Sequence, residues 1–81
     1  MNMELAQMRI KLANLNQRRA QMMPRIERLC TVIRANLNTA LTPVDELLVP
    51  DTAGHMDELV AAWGELQAVL AEIGRLEQEL V

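Results

Sequence analysis

Residues 58–80 read ELVAAWGELQAVLAEIGRLEQEL, and two patterns run through them together. Glu58, Glu65, Glu72 and Glu79 recur every seven positions, while Leu59, Ala62, Leu66, Val69, Ile73, Leu76 and Leu80 step three and four apart beside them. An apolar 3,4 spacing on a seven-residue period is the mark of a helix that packs along another helix. Placing Trp63 at heptad position a would put Glu77 in the seam, whereas placing Leu59 there keeps the seam apolar and sets the glutamates at g.

The first half of the chain supplies the partner. Leu5, Met8, Leu12, Leu15, Arg19, Met22, Ile26, Leu29 and Ile33 keep the same spacing, and Lys11, Arg18 and Arg25 recur every seven positions at g. Antiparallel helices set g against g. Folding the chain near residue 45 therefore sets Lys11 against Glu79, Arg18 against Glu72 and Arg25 against Glu65, as pairs that fix register. Exposed ion pairs contribute only about 0.2–1 kcal/mol each, so apolar burial must supply the stability.

The expected architecture is all-α: an antiparallel helical hairpin of two long helices and a short helical connector, pairing into a four-helix bundle. The first helix should span about residues 3–40. Pro24 falls at f, farthest from the seam, and the heptad phase passes through it without a slip, so a bend is expected there and not a break. The connector, 41–52, should hold a short helix near 43–48, with Thr42 as N-cap, Pro43 at its first position and Pro50 ending it. Asp51 or Thr52 would then cap a second helix of about 53–80. The same stripes could pair between two unfolded-back chains, but Pro43 and Pro50 favour the hairpin.

At 81 residues there is room for one domain, 1–81, and a hairpin of this size cannot enclose a core on all sides. With 51% hydrophobic and 23% charged residues, the chain is too apolar for a disordered tail and too regularly charged for a membrane span. No basic start leads into an apolar stretch and a cleavage site, so no signal peptide is expected. A lone Cys30 cannot close an internal disulfide, which agrees with a cytoplasmic location.

One flank of the hairpin is charged; the other is not. Its e positions are Met23, Cys30 and Leu37 on the first helix and Met56, Trp63 and Leu70 on the second. An apolar strip of this kind calls for cover by the connector, a second copy or another protein's helix. A homodimer is the expectation, with Trp63, the single aromatic residue, as anchor. Arg19 in the seam should reach out to Glu72, and Arg19 and Asn36 are candidates for polar core residues that select register or oligomer state.

Arg9, Arg28 and Arg34 join the basic stripe on the first helix, and residues 1–40 carry seven cations against two anions. That density could hold phosphates. The glutamate stripe claims three of these cations, the net charge is −3, and no Phe or Tyr is present to stack on bases, all of which argues against nucleic acid. Residues 5–9, Leu-Ala-Gln-Met-Arg, resemble the Arg-bearing first helix of the small all-helical chorismate mutases. That resemblance implies an enzyme with a cationic pocket. The rest of such a pocket has no counterpart in the sequence, so the enzyme reading is set aside. One His, one Cys and isolated glycines give neither a metal-ligand set nor a phosphate loop, and no cofactor is expected. What remains is a non-enzymatic protein–protein interaction module: a small adaptor, an assembly subunit, or an inhibitor that occludes a partner surface. A nucleic-acid-associated regulator is the alternative.

Overall fold

The structure, a computed structural model, describes residues 3–81. Two long helices, α1 (Met3–Asn36) and α2 (Val49–Leu80), pack against each other, and a single 3₁₀ turn at Val44–Glu46 lies between them. The result is an antiparallel hairpin, a rod of 65 × 16 × 16 Å with the start of α1 and the end of α2 at the same end.

The heptad frame decides which side chains face inwards. On α2 the seam residues Ala62, Leu66, Val69, Ile73 and Leu76 are buried, Leu76 to 1% exposure. On α1 only Leu29 is buried, while Leu5, Met8, Leu12, Leu15, Met22, Ile26 and Ile33 are half-buried. Exposed surface totals 6092 Å² for 9.1 kDa, where a compact chain of this mass exposes about 4900 Å².

α1 runs unbroken through Pro24, which is exposed on the outer face as its f position requires. It ends at Asn36, earlier than the expected 40. Asn38 stops it: its carbonyl accepts from the backbone N–H groups of Leu41 (3.2 Å) and Thr42 (3.1 Å), and its Oδ1 accepts from the Ala40 N–H (3.0 Å). These bonds offer the backbone a turn that competes with another turn of helix.

The connector also differs from expectation. Its helical piece is a short 3₁₀ turn with no side-chain cap. Pro50 does not terminate that piece. It occupies the first turn of α2, which begins at Val49 and not at 53. A proline there loses no hydrogen bond, because the first N–H groups of a helix have no intrahelical partner. Thr52 is accordingly no cap but a buried residue inside the helix, whose Oγ1 donates to the Leu48 carbonyl at 2.7 Å.

Candidate interaction surface

Two ion pairs join the helices among the described residues: Lys11 Nζ lies 3.0 Å from Glu72 Oε1, and Arg18 Nη2 lies 3.9 Å from Glu65 Oε2. Each cation thus meets the glutamate one heptad nearer the connector than expected. Lys11 does not meet Glu79, nor Arg18 Glu72. The two pairs place the fold point between Leu41 and Thr42, short of residue 45. Moving the fold point moves every facing pair by twice as much, and a seven-residue stripe meets its next member after the slip. Arg25 shares a shallow cleft with Glu58, Arg28, Leu29, Val32 and His55, and not with Glu65.

Glu79 turns to its own helix, where Arg75 Nη1 donates to it at 2.7 Å. Arg75 also grips Glu72 with both arms of its fork, Nε to Oε2 at 3.0 Å and Nη2 to Oε1. The Arg75 hydrogen bonds, followed by those of Lys11, lower the Glu72 pKa from 4.5 to about 2. Glu72 in turn raises the Arg75 guanidinium further above its ordinary value. The spacing of Glu72, Arg75 and Glu79, three and then four residues apart on one helix, was a legible signal for this cluster. Arg19 does not reach Glu72, whose partners are Lys11 and Arg75; it lies exposed on α1. Asn36 is half-buried at the end of α1, lining a cleft with Val32, Leu48, Asp51, Gly54, His55 and Glu58. His55 Nδ1 lies 2.9 Å from the Asp51 carbonyl, one turn back.

The opposite flank is apolar. Met23, Leu37, Met56 and Trp63 are exposed, Trp63 by 57%, and Cys30 and Leu70 are half-buried. Cys30, Met56 and Trp63 come together in a groove of about 430 Å³, lined otherwise by Ile26, Leu59 and Val60, with no polar side chain in the lining. Met23, Leu37 and Leu70 lie outside that lining. Ile26 and Leu59 enter it because the seam is open on this side, which their a positions did not foretell. Val60, 62% exposed, could have been found from its place four residues after Met56 and three before Trp63. The connector end adds Leu41, Val44, Leu48 and Val49, all more than half exposed.

Among the described residues no three His, Cys, Asp or Glu side chains come together as metal ligands would, and no helix is long and apolar enough to cross a membrane. Compared with family models, curated proteins and solved structures, the chain matches none.

Proposed function

We propose that this chain is a non-enzymatic protein–protein interaction module that acts through its apolar flank, as a small adaptor, an assembly subunit or an inhibitor occluding a partner surface. Its working form is a homodimer in which two hairpins make a four-helix bundle. The observation that carries this reading is the groove of Ile26, Cys30, Met56, Leu59, Val60 and Trp63, an open apolar seam with an exposed Trp on its rim. Exposed Trp beside an apolar groove has the chemistry of an interface anchor, where burial removes large apolar area from water at small conformational cost. The free Cys30 fits a reducing, cytoplasmic setting.

Sedimentation equilibrium tests the proposal. The wild-type chain should run as a dimer, and Trp63→Asp should run as a monomer that circular dichroism shows to be folded. A monomeric wild type that also captures no protein partner through this flank refutes the reading. So does salt-sensitive retention on DNA or RNA that Arg28→Glu with Arg34→Glu abolishes, since that would move function to the basic helix.

A further inference from the structure

The apolar flank carries two charges within its length, and their placement specifies how a second copy would sit on it. In the heptad frame b and e share a flank, and α1 presents there Ala20, Met23, Glu27, Cys30, Arg34 and Leu37 in order. Glu27 and Arg34 are both exposed, and among the described residues neither takes part in an ion pair. Cys30 lies between them and lines the groove. On α2 the same flank presents Met56, Val60, Trp63, Gln67 and Leu70, without a charge.

We infer that two hairpins pair connector half over connector half, about a two-fold axis that crosses the flank beside Cys30. This deepens the homodimer reading and rests on it. The axis sets α1 against the partner's α1 in antiparallel sense, so Glu27 of each copy meets the partner's Arg34 and the two Cys30 side chains face each other. Charge complementarity selects this arrangement. A two-fold along the rod would set α1 against the partner's α2, leaving Glu27 and Arg34 over the uncharged flank from Met56 to Leu70. The overlap also covers the half of the rod where exposed apolar side chains gather, from Met23 and Trp63 to Leu37 and the connector. It leaves uncovered the half where Arg9 and Glu77 occupy the flank.

Cross-linking the full chain tests the axis. Diamide should convert two Cys30 thiols of a dimer into one disulfide, accepting the two electrons and two protons released, because Cα atoms within about 7 Å can be bridged. In a Cys30→Ser background, Met23→Cys and Leu37→Cys should each fail to cross-link alone and should cross-link when mixed. Glu27→Arg or Arg34→Glu should weaken dimerisation about tenfold, and the double variant should recover it. A sedimenting dimer that does not cross-link through Cys30, or whose Met23→Cys variant cross-links to itself, overturns the axis while the homodimer stands. A monomeric wild type overturns both.

Discussion

Glu72 is where the two helices and the local chemistry of α2 meet, since Lys11 from α1 and Arg75 from its own helix both hold its carboxylate. Its pKa of about 2 lies below the ordinary 4.5, so the stabilisation linked to its ionisation is complete above 4.5 and is lost as the pH falls towards 2. Titration of the Glu72 carboxyl carbon by NMR should give a midpoint near 2. Arg75→Met should raise that midpoint more than Lys11→Met does, because the Arg75 hydrogen bonds are the larger cause; the reverse order would show that the inter-helix pair dominates. Thr52 offers a second residue-scale test. Its buried hydroxyl donates to the Leu48 carbonyl within the first turn of α2, so Thr52→Val, which keeps the shape and removes the donor, should cost about 1 kcal/mol in urea unfolding. No change would mean that the hydroxyl contributes nothing net.

At the scale of the element, α1 tolerates Pro24 because α2 holds the two halves of the helix in one seam, not because the proline favours helix. Pro24 is exposed, so Pro24→Ala restores a backbone donor without disturbing the seam and should stabilise the hairpin by about 1–3 kcal/mol in thermal unfolding. Destabilisation instead would show that the proline serves the packing of the two helices. A methyl group on Gly64 would meet open space, with nothing within 4 Å, and Gly64→Ala should add about 0.5–1 kcal/mol. Much of each helix is legible in the sequence. The seam from Leu59 to Leu80 and its counterpart from Leu5 to Ile33 declare themselves by spacing, because burial on one face must recur with the helical period. Arg19 is the exception, an exposed cation at an a position. The identity of facing charges was not legible: a stripe that repeats every seven residues fits its partner almost as well one repeat away, so only the connector decides. The connector itself turns on contacts that spacing does not encode. Asn38 ends α1 through both its carbonyl and its side chain, and Pro50, equally suited to follow one helix or open the next, opens α2. In the groove, Cys30, Met56 and Trp63 were legible as one flank, whereas the opening of the seam at Ile26 and Leu59 depends on how closely the helices approach.

As a whole molecule the hairpin is long for its mass. Its radius of gyration is 18.5 Å, where a compact domain of this length has about 12 Å. A dimer overlapping only by its connector halves is longer than either rod, so small-angle scattering of the wild type should give a maximum dimension well above the 65 Å of one hairpin. Full-length side-by-side pairing would keep that dimension near 65 Å. Trp63→Asp should return the profile to that of a single rod. The closeness of the two chain ends matters in another way. Helices in contact run about 8–10 Å apart, so whatever is joined before α1 and after α2 is held side by side at one end of the rod, while the apolar half points away. Spliced into a surface loop of a host protein, the hairpin would stand out like a mast, carrying its apolar half clear of the host without forcing the loop open.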